Sequence, residues 1–336
     1  MVELRTPRLA LRPAAPENAE AWRAFVGDPD VARWTASWAH PIDEAFLAKR
    51  LGTPFPPERG FYGSICREGE IIGAAALTDG ELGYMLRRDT FGQGYATEVA
   101  RALIDYGFNT LGLTEVTAGT MDGNRASERV LEKLGFVRTG QAPFPNAFSG
   151  RDLPGTDWRL TAEARLAADP MFLTTARLRL RNMTAADAPR LRQIVTDPRV
   201  GPMLVIYPPD WTDEDAREHV TTWSYQGRLK FRLGIEKDGE LIGAIGAGEG
   251  DVPSIFYFLD PALHGQGLAS EIVPAFTNAL FRRFPISGLK AGVFADNPHS
   301  ARVLTRAGFT DVGRGTWKSA ARSAEAEMTN FHCPRR

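Results

Sequence analysis

Apolar and polar positions along the front of the chain predict one strand and two helices. Arg8–Arg12 alternates apolar and polar residues, which is typical of a half-buried strand. Glu17–Val26 carries apolar residues at helical spacing and stops at Gly27-Asp28-Pro29, a cluster that ends helices. A second helix is expected to start at Pro41-Ile42-Asp43-Glu44, because proline and acidic residues suit the first turn of a helix.

The remainder of the first half alternates strands and helices. The predicted strands are Phe61–Arg67, Ile71–Leu77, Leu82–Leu86, Val116–Ala118 and a last pair that starts at Phe136-Val137 and ends at Trp158–Leu160. The predicted helices are Ala96–Asn109 and Ala126–Leu134. Glu68-Gly69-Glu70 joins the first two of these strands as a hairpin. This order predicts an α/β domain with a mixed sheet.

The same order of features occurs twice along the chain. Five blocks return in sequence: Thr6–Arg12 and Thr175–Arg181, Asp28–Val31 and Asp197–Val200, Ile71–Gly73 and Leu241–Gly243, Phe91–Ala96 and Leu263–Ala269, and Asn124–Ser127 and Asn297–Ser300. A repeat this long indicates duplication of a whole domain and not a solenoid. We therefore expect two tandem α/β domains, residues 1–165 and 170–336, with a seam near Ala162–Pro170.

Composition narrows the class of protein. With 43% apolar and 24% charged residues, the chain is expected to be soluble and globular. No apolar run approaches the roughly 18 residues of a membrane span, and the first residues lack the apolar core of a signal peptide. A net charge of −1 with both signs scattered argues against nucleic acid as the main partner. Cys66 and Cys333 form no Cys-x-x-Cys pair, so a reducing cytoplasm fits.

Two Gly-Gln-Gly loops carry the candidate chemistry, Gly92-Gln93-Gly94 and Gly265-Gln266-Gly267. Each stands between a predicted strand and a predicted helix, where unpaired N–H groups and the helix dipole favour an anionic phosphate. A single loop of this kind is better explained by a tight turn, but two copies at matching positions favour phosphate binding. A P-loop is absent from the sequence. Thr97 and Ser270 stand where a dinucleotide fingerprint needs its third glycine.

With these residues placed, the sequence resembles the GNAT superfamily of N-acetyltransferases, and within it the Rim type that acetylates ribosomal-protein N-termini. The resemblance rests on repeated motifs and spans nearly the whole chain twice. The motifs are Thr-x-Arg-Leu-x-Leu-Arg at Thr6–Arg12 and Thr175–Arg181, Glu-x-Gly-Tyr at Glu81–Tyr84, Gly-x-Gly-Tyr-Ala-Thr-Glu at Gly92–Glu98, and Asn-x-x-Ser with a trailing Gly-Phe at Asn124–Phe136. In the superfamily Gln or Arg often stands three residues before the first loop glycine, but here Asp89 and Ala262 do, so the loop backbone is the expected ligand.

The resemblance implies a V-shaped opening between two central strands that takes the pantetheine arm of acetyl-coenzyme A. The loop amides would bind the pyrophosphate, Asn124 would hydrogen-bond the pantetheine arm, and Ser127 would lie near the thiolate. The implied cofactor-binding residues are Met85, Leu86, Gly92, Gln93, Gly94, Tyr95, Ala96, Thr97, Asn124 and Ser127 in the first copy. In the second copy they are His264, Gly265, Gln266, Gly267, Leu268, Ala269, Ser270, Asn297 and Ser300.

The implied reaction is direct acetyl transfer to a primary amine, which needs a base to take a proton from the ammonium. Glu81 is the candidate base, or else a solvated carboxylate on its strand. Ser127 is the candidate donor to the thiolate, or else only a helix cap. Ser254 replaces Glu81 in the second copy, so we expect any unequal turnover to favour the first. No metal is expected, because the histidines away from the glycine loops show no metal-ligand spacing: His40, His219, His299 and His332.

Two functions remain open from the sequence. The first is an acetyl-coenzyme A-dependent N-acetyltransferase whose acceptor is a protein N-terminus or a small amine. The second is a non-catalytic acyl-coenzyme A sensor or scaffold with one or both sites inactive. Duplicated units can pack as dimer subunits do, so the expected state is a monomer of two tandem domains or a homodimer.

Overall fold

The computed structural model describes residues 2–168, 171 and 173–335. Its internal contacts divide the chain into two units, Met1–Asp169 and Pro170–Arg336. In each unit, helices lie on both faces of the central strands, so the α/β prediction with mixed sheets is confirmed.

The first unit follows the predicted order of elements. Its strands are β1 (Leu4–Arg5), β2 (Ala10–Pro13), β3 (Gly60–Arg67), β4 (Glu70–Thr78), β5 (Glu81–Leu86), β6 (Glu115–Met121), β7 (Val137–Phe144) and β8 (Leu153–Thr161). Its helices are α1 (Ala19–Val26), α2 (Pro29–Ala32), α3 (Glu44–Gly52), α4 (Tyr95–Asn109), α5 (Arg125–Lys133) and α6 (Ala162–Ala168).

Two helix starts show how local sequence sets these bounds. The predicted helix Glu17–Val26 divides into a 3-10 turn over Pro16–Asn18 and the α-helix α1. The Gly27-Asp28-Pro29 cluster ends α1 and at once begins α2, because the Asp28 carboxylate accepts from the Asp30 N–H at 2.9 Å. Asp43 caps α3 in the same way, accepting from the Phe46 N–H at 3.0 Å.

Within the described residues, the strands of the first unit form one sheet in the order β1-β2-β3-β4-β5-β6-β8-β7. Neighbouring strands are antiparallel except β5 and β6, which run parallel. In the described chain these two strands pair at two positions alone, Glu81 with Thr117 and Leu82 with Ala118. They separate after these pairs, which opens the gap that the resemblance implies.

The two faces of β5 meet different helices. Leu82 and Leu86 are buried against the α4 residues Val99 and Leu103. Met85 packs on the opposite face, in the cluster that contains Trp22 of α1. Because side chains of a strand alternate between faces, Glu81 and Gly83 share the face of Met85.

The second unit repeats this order. Its strands are β9 (Arg179–Arg181), β10 (Phe231–Lys237), β11 (Glu240–Ala247), β12 (Ile255–Leu259), β13 (Gly288–Phe294), β14 (Thr310–Trp317) and β15 (Ala326–Pro334). Its helices are α7 (Ala188–Val195), α8 (Asp213–Thr222), α9 (Leu268–Arg283) and α10 (Pro298–Arg306).

In the part of the second unit that the structure describes, the strands form two sheets, β12-β11-β10-β9 and β13-β15-β14. A parallel bridge between Ser254 and Lys290 joins β12 to β13 at the start of both strands. This bridge stands where Glu81 pairs with Thr117 in the first unit. The gap between the two central strands is therefore present in both units.

The expected seam is partly helical. Ala162–Ala168 forms α6, which packs on the first unit through Arg165, whose guanidinium lies 2.6 Å from the Asp105 carboxylate. The residues Asp169 and Pro170, which the seam prediction also includes, lie outside the described residues.

Candidate functional site

A glycine loop follows β5 and another follows β12, the strands that border the gaps. Gly92 and Gly94 have φ of 74° and 79°, and Gly265 and Gly267 have φ of 80° and 75°. This left-handed region favours glycine, because a side chain there meets its own backbone. α4 and α9 begin immediately after the loops, at Tyr95 and Leu268.

The loops fit an anionic group. A Cβ built on Gly92 or Gly265 meets no atom within 4 Å, so the space beside each loop is open. The first N–H groups of a helix have no partner inside it, and the positive end of the dipole lies at the same place. The Gln93 side chain donates to the Asp89 carbonyl at 3.3 Å, so the backbone and not this side chain offers donors to a ligand.

Arg8 and Glu98 hold the first glycine loop in place through hydrogen bonds, and we call this pair the arginine–glutamate clamp. The Arg8 Nε donates to Glu98 Oε2 at 2.7 Å, and its Nη1 donates to the Gln93 carbonyl at 3.0 Å. Glu98 Oε1 also accepts from the Thr6 hydroxyl at 2.5 Å and from the Arg8 backbone N–H at 2.8 Å. The opening motif of the unit therefore fixes the loop that lies about ninety residues later.

The second unit has the same clamp. The Arg177 guanidinium donates to Glu271 at 2.7 Å and to the Gln266 carbonyl at 3.0 Å, and the Thr175 hydroxyl donates to Glu271 at 2.5 Å. Sequence reasoning did not assign this role to either pair. The signal was present, because the opening threonine and arginine recur with the glutamate of the loop helix in both copies.

The asparagine and the serine of each Asn-x-x-Ser motif lie at the start of a helix beside the gap. Asn124 Oδ1 accepts from the Ser127 N–H at 3.2 Å and caps α5, and Asn297 accepts from the Ser300 N–H at 3.1 Å and caps α10. Capping is thus the role of the asparagine and not of the serine side chain. The serine hydroxyl is left for another contact.

That contact is a tyrosine on the neighbouring strand. The Tyr84 hydroxyl lies 2.9 Å from the Ser127 hydroxyl, and the Tyr257 hydroxyl lies 2.6 Å from that of Ser300. Burial raises the pKa of both Tyr84 and Tyr257 to about 12, although the serine hydrogen bond opposes the rise. Both phenols are therefore protonated at neutral pH and remain hydrogen-bond donors.

Glu81 does not join this pair. It lies at the start of β5, opposite Thr117 where the two central strands still pair, and it is exposed. Tyr84 stands three positions later on the same strand, so the two side chains project from opposite faces of the sheet. The structure places Glu81 on the face of α1 and α3, and Ser127 on the face of α4 and α5.

The remaining predicted residues of the first unit contribute in different ways. Leu86 is buried and Met85 packs against the core, so their side chains serve the fold. Tyr95 is buried under the Arg8 guanidinium, whose Cζ lies 4.5 Å from the ring centroid. Ala96 and Thr97 stand in the first turn of α4, where their backbone N–H groups face the loop end.

A cavity of about 710 Å³ fills the gap of the second unit. The predicted residues that line it are His264, Gly265, Gly267, Leu268, Ala269, Ser270, Asn297 and Ser300. Gln266 is the predicted member that does not line this cavity, and its carbonyl instead accepts from Arg177. His264 lies with Nε2 3.1 Å from the Leu259 carbonyl at the loop end of β12. The cavity also extends to Tyr207, Arg232 and Phe256 at its other end.

A buried aromatic cluster lies at that other end. The Tyr207 hydroxyl lies 3.1 Å from His219 Nε2, and the Trp211 ring centroid lies 4.9 Å from that of Tyr207. Burial raises the pKa of Tyr207 to about 12. Burial, with the Arg232 charge as the second cause, lowers the pKa of His219 to about 4. His219 is therefore neutral at pH 7.

The described residues contain no group of three or more His, Cys, Asp or Glu side chains arranged to hold a metal ion. Across the same residues, no helix has both the length and the apolar character that a membrane crossing requires.

Comparison with known proteins gives two matches within the chain. A model of the acetyltransferase (GNAT) domain matches residues 8–137 and 177–310. The uncharacterized N-acetyltransferase YoaA of Bacillus subtilis (strain 168) is 31% identical over 148 residues, which are 41% of this chain and 84% of that protein. The uncharacterized N-acetyltransferase p20 of Bacillus licheniformis is 28% identical over 153 residues, or 42% of this chain and 85% of that protein.

Among solved structures, RimL, the ribosomal L7/L12 alpha-N-protein acetyltransferase in complex with coenzyme A, is 22% identical. It covers 48% of this chain and 97% of its own, with a TM-score of 0.43.

Proposed function

The chain belongs to the GNAT acetyltransferase family, and on that premise we propose that it transfers an acetyl group from acetyl-coenzyme A to a primary amine. One arrangement supports the proposal, and it occurs in both units. Two parallel strands separate beside a glycine loop, and a tyrosine of one strand holds a serine at the start of the neighbouring helix.

Backbone amides hold the cofactor in this proposal. The N–H groups of residues 92–97 and 265–270 bind the pyrophosphate, because they are unpaired donors at the positive end of a helix. Asn124 and Asn297 have their side-chain oxygen engaged in capping, so their side-chain nitrogen is the donor to the pantetheine arm. When bound, acetyl-coenzyme A supplies a thioester carbonyl carbon that an amine nitrogen can attack.

In the first unit, one side chain accepts a proton from the amine and another donates a hydrogen bond to the leaving sulfur. Glu81 accepts, directly or through a water, the proton that the acceptor ammonium must lose before its nitrogen attacks. The new C–N bond forms as the C–S bond breaks. Ser127 donates a hydrogen bond to the sulfur as it leaves, and Tyr84 orients the serine because its own hydroxyl lies 2.9 Å away. The nitrogen loses its second proton as the amide forms, and this proton neutralises the released thiolate.

The two units differ at the position of the candidate general base. Ser254 stands at the position of Glu81, while Ser300 and Tyr257 match Ser127 and Tyr84. We therefore propose that both units bind coenzyme A and that the first turns over faster with simple amines.

Thiol release from acetyl-coenzyme A over a panel of amines tests the proposal. The panel holds peptides with free N-termini, polyamines, amino acids and aminoglycosides, and the acetylated product is identified by mass. Gly94→Glu and Gly267→Glu each place a side chain and a negative charge at a loop. We expect Gly94→Glu to remove most of the release and Gly267→Glu to remove less. Undiminished release by Gly94→Glu together with a dead Gly267→Glu variant contradicts the order of the units. Binding of coenzyme A without release for any amine favours a non-catalytic acyl-coenzyme A sensor.

A further inference from the structure

Arg232 of β10 lies partly buried in the wall of the second-unit cavity. Its Cζ atom is 4.1 Å from the ring centroid of Phe256 and 5.0 Å from that of Trp223. Tyr207, which lines the same part of the cavity, also contacts it. The guanidinium is therefore enclosed by aromatic rings at the end of the cavity away from the glycine loop.

The charge of Arg232 is not balanced by the protein. Its Nε is buried without a hydrogen-bond partner, its Nη1 donates to the carbonyl of Phe231 at 3.2 Å, and its side chain also hydrogen-bonds the neutral Tyr207 phenol. No carboxylate in the described part of the chain acts on it, and burial lowers its pKa. Two other shielded arginines of this unit do have a carboxylate partner: Arg181 binds Asp187 at 2.7 Å, and Arg190 binds Asp260. A shielded cation without a counter-ion is costly, and this favours an anionic ligand at its position.

Register places Arg232 at the closed end of the gap. It pairs with Gly246 of β11, which in turn pairs with Phe256 of β12, so the three share one face of the sheet. Phe256 comes two residues after Ser254, where β12 meets β13. Phe256 packs in the cluster of α7 residues, whereas Tyr257 on the opposite face bonds to Ser300 of α10. Arg232 thus faces the side of the sheet opposite the cofactor-binding helix.

The first unit has a different residue at this position. Tyr62 of β3 pairs with Ala76, which pairs with Gly83 of β5, in the register that Arg232, Gly246 and Phe256 occupy. A neutral phenol and a glycine therefore stand where the second unit has a guanidinium and a phenyl ring.

We infer that the second unit takes an amine acceptor that also carries a carboxylate, and that Arg232 binds this carboxylate. The planar guanidinium matches a carboxylate through two parallel hydrogen bonds, and the aromatic walls exclude water from the pair. This inference rests on the proposed acetyl transfer for the identity of the acceptor, and it makes Arg232 the residue that selects it.

Matched acceptors test the inference on the full chain saturated with coenzyme A. Glycine, β-alanine, 4-aminobutyrate and glutamate are each compared with the corresponding primary amide by calorimetry. The Gly94→Glu background removes the first unit from the measurement. We expect each carboxylate to bind at least about tenfold more tightly than its amide. Arg232→Gln should abolish this preference, and the matched control Arg228→Gln, which removes an exposed charge of the same segment outside the cavity, should keep it.

A melting temperature shows separately whether each variant is folded. Arg232→Gln is expected to melt at the same temperature or higher, because it removes an unbalanced buried charge. Arg232→Met, which keeps the length of the side chain against the same rings, provides a second variant should Arg232→Gln not fold. Equal binding of carboxylates and amides to the parent chain overturns the inference, as does a preference that survives in the folded variant.

Thiol release from acetyl-coenzyme A by the parent chain, measured separately with the same amines, separates this inference from the proposed function. Absence of release with every amine refutes acetyl transfer, whereas the calorimetric preference reports on Arg232 alone. Release from simple amines combined with no carboxylate preference refutes the role of Arg232 and leaves acetyl transfer standing.

Discussion

In the first unit, the Arg8 guanidinium donates to the Glu98 carboxylate at 2.7 Å and to the carbonyl of Gln93 at 3.0 Å. One side chain from the opening strand segment therefore fixes both the loop and the first turn of the helix that follows it. In the proposed function the loop donates through its backbone, so its shape determines how well the amides meet a phosphate.

Arg8→Met should weaken the binding of acetyl-coenzyme A to the first unit. A hydrogen bond to a charged group contributes about 1.5–3 kcal/mol, but Arg8 is 48% exposed, so we expect a smaller loss and a KM roughly five- to tenfold higher. The KM is measured in a chain that also carries Gly267→Glu, so that the first unit alone contributes to the rate. Arg5→Met, which removes another exposed arginine nearby, is the control. An unchanged KM in Arg8→Met would show that the loop keeps its shape without the clamp.

Ser127→Ala should lower kcat while leaving the KM for acetyl-coenzyme A nearly constant. Loss of one donor to a developing oxyanion costs roughly 10²–10³-fold in rate, and a thiolate, which accepts hydrogen bonds weakly, should give only about tenfold. Tyr84→Phe should reduce kcat by less, because it removes only the group that orients the serine. Since the pKa of Tyr84 is about 12, its loss should leave the pH profile unchanged between roughly pH 6 and 10. Initial rates across this range test both statements, and a new ionisation in Tyr84→Phe would contradict them.

Glu81→Gln should slow turnover by roughly 10²-fold at pH 7, the usual contribution of a general base. The deficit should shrink as the pH approaches the pKa of the acceptor amine, because an amine that arrives neutral needs no base. Glu115→Gln, on the adjacent strand β6, removes an exposed carboxylate that lies 3.7 Å from Arg159 and is the matched control. A pH-independent deficit, or none, would identify Glu81 as a solvated carboxylate of its strand.

His219 should make the second unit sensitive to acid. Its pKa is about 4 in the folded protein against an ordinary value of 6.5, mainly because it is buried, so the unfolded chain binds the proton more readily. Stability is fully present above about pH 6.5 and falls as the pH drops toward 4, by about 3 kcal/mol for a shift of this size. His219→Gln should remove most of this acid dependence. Urea unfolding at pH 7 and pH 4.5 measures it, and parallel losses in both proteins would count against the assignment.

Sequence patterns predicted the elements because each follows from local chemistry. The strand Gly60–Arg67, the hairpin to Glu70–Thr78 and the helix after each glycine loop lie within a few residues of their predicted bounds. The duplication could also be predicted from the sequence. One copy of each repeated block lies in each unit, and the two family matches cover these blocks except for the first two residues of the opening one.

Contacts between segments that are distant along the chain could not be predicted from the sequence pattern. Nothing local connects Arg8 with Glu98, or Tyr84 with Ser127, since each pair forms only when the sheet is assembled. The sequence also could not show which face of β5 Glu81 occupies relative to the serine, because that depends on register. The missing counter-ion of Arg232 is likewise a property of the packed core and not of its neighbours in the chain.

Each arginine–glutamate clamp joins residues of its own unit, Arg8 with Glu98 and Arg177 with Glu271. The glycine loop of each unit is therefore held by residues of that same unit. The differences on the acceptor side, where Arg232 corresponds to Tyr62 and Ser254 to Glu81, therefore leave the clamp of either copy in place. In the proposed function, such independence allows one polypeptide to carry two acceptor specificities over one shared mode of cofactor binding.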